Sequence, residues 1–349
     1  MLSYGAKLLS YVYLGKRGIA HIRGSQRIIT EIKSKFYKYV WKSAAEKIGG
    51  SIEEIGSGIY EIRYKNLCTK VLENYTELDD IISMTIAGNK TLVLSLLSNN
   101  GIATPRYRQF GIDELKAAQQ FIHSLNQNCV IKPANSTAGG SGVSAEVAHK
   151  WDLFKSASRA SSFGGKLLVE EQLDGDNYRL LYLNGIFIDA VRRYPPRIKG
   201  DGKSSIKTLV QRENKSRIVN GWERAHTVIT IDGDMKNCLR KHDLSLHSVL
   251  EDGNTIKVKT VISENNCYEN ERIFDICKSI IDDGARAVNL IGAKVAGVDI
   301  ITNNPAIPLK ESHGAVIEVN TTPSYYYHYK NSTGPFEVAD FVLKAIFQN

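Results

Sequence analysis

Many of the features that would betray a protein's chemistry are missing from this sequence. Its five cysteines, Cys68, Cys129, Cys238, Cys267 and Cys277, are odd in number, scattered and without C-x-x-C spacing. That argues against a zinc site or a disulfide framework and fits a reducing compartment, the cytoplasm. No apolar run approaches the roughly 18 residues that a membrane-spanning helix requires, so no stable membrane insertion is expected. Tyr4–Leu14 is mildly apolar, but no small-residue cleavage site follows, so it does not read as a signal peptide. Its acid-poor, arginine-bearing surroundings resemble a transit peptide only in composition. Acids are absent before Glu31, whereas Lys7, Lys16, Arg17, Arg23 and Arg27 all precede it. Much of the net charge of +8 therefore sits at the start. It reads as a solvated tail or as recognition of an anionic substrate, in preference to a nucleic-acid or membrane partner. Neither a Ser–His–Asp nor a Cys–His arrangement stands out, and internal repeats are absent.

What the sequence does contain is a series of short elements. With 349 residues it can form two or three domains. Residues 1–30 fit no single pattern. Residues 31–48 carry Ile32, Phe36, Val40 and Ala44 at helical spacing, and Gly49-Gly50 closes the helix. Strand-like pieces follow at Ser51–Ile55, Gly58–Tyr64 and Cys68–Glu73. Helices are expected over Asn89–Ser98, with Asn89 as cap, and over Ile112–Leu125, Trp151–Ala160, Arg272–Leu290 and Phe336–Phe347. Strands are expected over Cys129–Pro133, Lys166–Gln172, Tyr178–Asn184 and Gly185–Arg193, while Pro195–Asn254 is mixed and polar.

Three stretches carry candidate chemistry. In Val295–Pro323, two strands, Val295–Thr302 and Ala315–Asn320, flank a turn-rich loop. Alternation along a strand turns Glu318 and Asn320 to one face. Antiparallel pairing would bring Asp299 beside them, giving hard oxygen donors suited to Mg²⁺. Alone, the same pattern also fits the polar face of an edge hairpin. In Val130–Val143, VIKPANSTAGGSGV, a strand ending in Lys132 runs into a loop with Gly139, Gly140 and Gly142. Glycines admit phosphate oxygens close to backbone N–H groups, Lys132 adds a point charge, and Ser136, Thr137 and Ser141 add hydroxyls. The loop is neither a Walker A motif nor a dinucleotide fingerprint, and alone it also fits a merely mobile loop. In Leu167–Leu173, LLVEEQL, a strand end can hold an adenine ring while Glu170 or Glu171 takes the ribose hydroxyls, or its acids can simply be solvated. Arg179, Arg192 and Arg193 can fork onto phosphate or carboxylate, or form salt bridges. His328, after Tyr325-Tyr326-Tyr327, reads as a cap on an aromatic cluster in preference to a base.

Taken in order, NK before a helix, VIKP with its Gly-rich loop, VEEQL, GVDI and IEVN resemble the ATP-grasp superfamily. YRLLYLNG (Tyr178–Gly185), RRYPP (Arg192–Pro196), GDGKSSIKTLV (Gly200–Val210) and IEVNTTP (Ile317–Pro323) bring the likeness to the ATP-grasp part of cyanophycin synthetases and related amino-acid or peptide ligases. D-alanine–D-alanine ligases and glutathione synthetases are more distant. The likeness runs from about Leu78 to the end of the sequence. It implies an α+β fold in which two lobes grip ATP. A small α+β domain would occupy residues 1–85, a small lobe with the lid loop 86–166, and a large lobe 167–349 with an insert at 195–271.

The resemblance also assigns roles. Lys90 and Lys132 would contact ATP. Gly139, Gly140, Ser141 and Gly142 would form the lid, and Glu170, Glu171 and Leu173 would flank the adenine. Asp299, Glu318 and Asn320 would hold Mg²⁺, with Mn²⁺ as the alternative, and Arg193 or Arg179 would steady the transferred phosphoryl group. The implied reaction is ATP-dependent amide formation between carboxylate and amine substrates through an acyl phosphate, by a homodimer or homotetramer. A phosphotransferase, or an ATP-binding regulator without turnover, would use the same lobes. Three departures stand out: Ser324 follows NTTP in place of glycine, Asn177 replaces an acid found in many relatives, and Val261–Asn270 replaces an Asn- and Gly-rich tract near the acceptor side. The amine substrate is therefore expected to differ. The sequence also has no Mur-ligase-like half, so cyanophycin synthesis by this chain alone is not expected.

Overall fold

The computed structural model of the chain describes residues 2–22, 25–135 and 140–348. Two helices open it, α1 (Leu2–Ile22) and α2 (Ser25–Lys47). The stretch without a clear sequence pattern is thus helical where it is described. Ile32, Phe36, Val40 and Ala44 are all buried on α2, as their spacing requires. An antiparallel meander follows, β1 (Ser51–Gly56), β2 (Ile59–Tyr64) and β3 (Leu67–Leu72). Its Tyr60, Ile62 and Val71 share one core with Phe36 and Trp41 of α2 and with Leu181, Val191 and Val295 much later in the chain. Among the described residues, the first 85 therefore share this core with the later chain and have no separate one.

Asp80 caps α3 (Ile81–Ala87), and Asn89 caps α4 (Lys90–Asn99) by accepting from the Leu92 N–H at 3.1 Å. Next come β4 (Tyr107–Gly111), α5 (Leu115–Leu125), β5 (Cys129–Pro133), β6 (Ser144–Val147), α6 (Lys150–Ser161) and β7 (Lys166–Glu171). The four strands form an antiparallel sheet in the order β4-β7-β5-β6. Helix α5 starts later than Ile112 because the Glu114 carboxylate accepts the Gly111 N–H and closes a turn first.

β8 (Asp176–Leu183) and β9 (Ile186–Arg193) begin a second sheet. The chain then leaves it for β10 (Arg197–Lys199), α7 (Ile206–Asn220), α8 (Gly233–Arg240) and β11 (Thr255–Lys257). This insert has a core of its own, with Ile198, Ile206, Val210, Met235, Leu239 and Val258 buried together. The chain returns through β12 (Asn270–Arg272), α9 (Lys278–Ile291), β13 (Val295–Thr302), β14 (Ala315–Thr321), α10 (Tyr326–Tyr329) and α11 (Val338–Gln348). The sheet order is β12-β9-β8-β13-β14, antiparallel throughout. Arg272 does not open the late helix, because Asn270–Arg272 is spent on pairing with Val191–Arg193.

The sheets correct the linear division of the chain. β7 lies between β4 and β5, so a boundary after residue 166 would cut the four-stranded sheet. The change of sheet falls in the turn after Glu171, where Gly175 takes φ +130°. A Cβ there would stand 2.4 Å from the Thr302 carbonyl carbon, so only glycine lets the turn pass β13. α4 also belongs with the later sheet, for Val93 and Leu97 pack with Leu180, Val298 and Val319. Among the described residues no helix is long and apolar enough to cross a membrane, and all five cysteines are free thiols.

Candidate active site

A cleft of about 1550 Å³ lies between the two sheets. It is lined by Lys90, Lys132, Gly140, Ser141, Glu170, Glu171, Leu173, Arg179, Arg193, Asp299, Glu318 and Asn320. Of the remaining expected site residues, Gly139 lies outside the described residues, as do Ser136 and Thr137. Gly142 does not line the cleft. It sits under the loop, where a Cβ would stand 2.9 Å from both Pro133 and Phe163.

One wall comes from the four-stranded sheet and the start of α4. The Lys90 N–H donates to the Ala134 carbonyl at 3.0 Å, which brings the first residue of the helix against the end of β5. Lys132 Nζ lies 2.8 Å from Glu170 Oε1, and Lys90 Nζ lies 3.4 Å from Glu318 Oε1. Burial raises the Glu170 pKa; Lys132 and Lys90 pull it back, while Glu318 pushes it up. The two lysines and two glutamates therefore share one field. Glu171 is not free for a ribose: its carboxylate accepts from the Arg106 backbone N–H at 2.8 Å and from Arg106 Nε at 2.5 Å.

The facing wall is the β13–β14 hairpin. The register puts Asp299 opposite Glu318 and Gly297 opposite Asn320, so the three polar side chains gather on one face. Next door, β8 places Arg179 opposite Asp299. Arg179 donates through Nε to Asp299 Oδ1 and through Nη2 to Oδ2, both at 2.6 Å. Asn320 Nδ2 donates to Asp299 Oδ2 at 3.3 Å. Burial alone would push the Asp299 carboxyl up, yet Arg179 and Arg193 outweigh it and hold the pKa below the ordinary carboxylate value. Burial likewise disfavours charge on Arg179, and pairing with Asp299 more than reverses it.

Arg193 is placed differently. Its side chain is buried, and its nearest carboxylate oxygen, on Asp299, is 3.8 Å away. It stacks over the Tyr327 ring at 4.1 Å, and its Nε has no hydrogen-bond partner. Burial, with Arg179 beside it, lowers its pKa. A buried guanidinium so thinly paired is suited to an incoming anion. Arg192, on the other face of β9, bonds Asp176.

His328 is fully buried and its Nδ1 meets Asp189 Oδ2 at 2.6 Å, so it belongs to the packing beneath α10 rather than to the cleft. Several residues in or beside the cleft have no signal in the sequence. Arg106 meets Glu171 across 65 positions of chain. His226, from the insert, lies against Tyr326 with ring centroids 4.3 Å apart. Burial, and then the nearby cations Lys33, Arg193, Arg217 and Arg179, hold the His226 pKa well below its ordinary value. Val261 packs on the Gly-rich loop at Gly140, which has φ +71° and where a Cβ would stand 2.5 Å from Val261 Cγ1. Thr230, Val261 and Glu264 bring the insert into the cleft wall.

No family model matches the chain. Over 333 residues it is 25% identical to cyanophycin synthetase of Synechocystis sp., covering 93% of this chain and 36% of that protein. Over 277 residues it is 26% identical to the glutathione biosynthesis bifunctional protein of Clostridium perfringens, covering 77% and 34%. The chain thus spans about a third of the length of these curated relatives. Among solved structures, the bifunctional glutathione synthetase from Pasteurella multocida aligns with a TM-score of 0.54 at 22% identity, covering 87% of this chain and 44% of that one. That likeness is one of fold. With an α+β architecture of two facing sheets and this sequence similarity, the chain resembles the ATP-grasp ligases.

Proposed function

We propose that the chain is an ATP-dependent carboxylate–amine ligase acting on an amino acid, a peptide or a related small molecule in the cytoplasm. The observation that carries this reading is the shared cleft. A basic wall with Lys90 and Lys132 faces the Asp299–Glu318–Asn320 hairpin, with Arg193 thinly paired beside it. The volume exceeds what a nucleotide alone fills, leaving room for a second substrate. The relatives' names, synthetases of cyanophycin and of glutathione, point the same way.

In this reading the lysines hold the triphosphate and Gly140 and Ser141 cover it. The strand end at Leu173 receives the adenine. The donor set fits Mg²⁺, since that ion is commonly held by one or two carboxylates together with substrate phosphates. Among the described residues no three His, Cys, Asp or Glu side chains gather, and Arg179 already engages both Asp299 oxygens. Glu318, partly exposed and paired only at 3.4 Å, would therefore be the principal ligand, with Asp299 and Asn320 as the further donors. The metal supplies charge neutralisation on the phosphates.

The substrate carboxylate oxygen attacks the γ-phosphorus, and the bond to the bridging oxygen breaks with its electrons leaving on ADP. Arg193 donates to the transferred phosphoryl oxygens. An amine nitrogen then attacks the acyl carbon, phosphate departs with the C–O electrons, and the amine loses a proton. Arg179 acts at one remove, by fixing Asp299.

The test is phosphate release from ATP, screened against amino acids and short peptides. We expect one substrate pair to give amide and phosphate in equal amounts. A stable phosphorylated product would instead indicate a phosphotransferase. Glu318→Ala, in protein that remains folded, should lower turnover by about 100-fold or more. Unchanged turnover would refute the metal assignment.

A further inference from the structure

The outward side of α1 is apolar where a surface helix is ordinarily polar. Tyr4, Leu8, Tyr11, Val12 and Leu14 are each between 50 and 71% exposed. Together with exposed Lys7 they fall within about 160° of arc on the helix. The opposite side is already used. Ala6 is fully buried, a Cβ on Gly5 would stand 3.5 Å from the Phe154 ring, and Ser3 Oγ donates to the Asp113 carbonyl. The exposed residues therefore do not serve the docking of α1 onto α6.

The strip continues beyond α1. Trp151, on α6, is 65% exposed and meets Phe154 edge-on at 5.9 Å, so Phe154 links it to the start of α1. Lys150 and Lys155 flank it on the same helix and are exposed. The sequence of α1 contains Lys7, Lys16 and Arg17 and no acid; the segments it packs against carry Asp113, Glu114 and Asp152.

We propose that this face of α1 lies on an anionic lipid surface, as a peripheral contact and not as an insertion. Tyrosine and tryptophan favour the membrane–water boundary, where an apolar ring and a polar edge are both accommodated. A lysine within such a face keeps its ammonium at the headgroup level while its stem covers apolar surface. A helix with basic residues and no acids gains from anionic headgroups. A second copy of the chain is the less favoured occupant. Face-to-face pairing of two α1 helices would bring Lys7 towards Lys7, and α1 has no acid to answer either. Leu14, on this face, also lines the cleft, so the contact would set the cleft near the surface.

The experiment is flotation of the full chain with phosphatidylcholine vesicles, with and without phosphatidylserine. We expect the chain to partition onto the phosphatidylserine vesicles and added salt to weaken this. Lys7→Glu, and separately Leu8→Asp with Tyr11→Asp, should each lower partitioning by about tenfold or more. These positions are exposed, and circular dichroism and thermal melting confirm that the variants fold. Absence of partitioning at low salt would overturn the proposal, as would equal binding to phosphatidylcholine alone or binding indifferent to the substitutions. So would a dimer in sedimentation that Leu8→Asp with Tyr11→Asp dissolves, for a second copy would then cover the face.

Discussion

The two walls of the cleft each bury a carboxylate against a cation, and they do it differently. On the four-stranded sheet, Lys132 meets Glu170 through one contact at 2.8 Å, and burial still raises the Glu170 pKa. On the five-stranded sheet, Arg179 grips both oxygens of Asp299 at 2.6 Å, and the Asp299 pKa falls despite burial. A flexible point charge does not repay the desolvation of its partner, whereas a planar fork aided by Arg193 and Asn320 does. In the proposed ligase reading, the first wall can exchange its partner for a phosphate. The second is a fixed floor on which Glu318 and Arg193 are held.

The largest effect should come from breaking the floor. Asp299→Asn leaves two buried guanidinium groups without their anion and should cost about 3–5 kcal/mol in urea denaturation. Glu170→Gln should cost clearly less, about 1–2 kcal/mol, because it relieves a carboxylate that burial disfavours. A Glu170→Gln cost equal to that of Asp299→Asn would erase the contrast. Acidity sharpens it further, since the two groups act with opposite sign. The depressed Asp299 pKa contributes stability present above the ordinary 3.8 and lost as pH falls through the lower folded value. The raised Glu170 pKa contributes stability present below the ordinary 4.5 and lost as pH rises through the higher folded value. Melting curves across pH should therefore show Asp299→Asn flattening the acid limb and Glu170→Gln removing a decline above 4.5. Identical profiles for the two variants would contradict the assignment.

The smallest effect concerns the lid. Gly140→Ala places a side chain at φ +71° and against Val261, and should cost about 1 kcal/mol. Val261→Ala in the same protein should recover the part due to the clash. No recovery would mean that backbone conformation alone sets the cost.

How much of this could be read from the sequence follows from the range of each interaction. The meeting of Asp299 with Glu318 and Asn320 was legible because strand alternation and a single hairpin fix it locally. The Asn89 cap and the buried face of α2 were legible for the same reason. β4 was not, because YRQFG is half polar and takes its conformation from pairing with β7. The diversion of Glu171 to Arg106 was hidden, since nothing local links residues 65 apart. The place of β7 between β4 and β5 is not legible in the sequence, because sheet order is decided by partners and not by succession along the chain.

The insert between β9 and β12 has one more consequence. It surrounds its own apolar centre, and it presents Thr230, Val261 and Glu264 to the cleft. Beside the packing of Val261 on Gly140, its ties to that side include Arg159 to Asp232 at 2.6 Å and Lys241 to Glu146. A cassette of this kind can diverge in its loops while the hairpin and the arginine floor stay as they are. In the proposed ligase reading, selection could in that way change which acceptor is admitted and leave untouched the residues proposed to activate the donor.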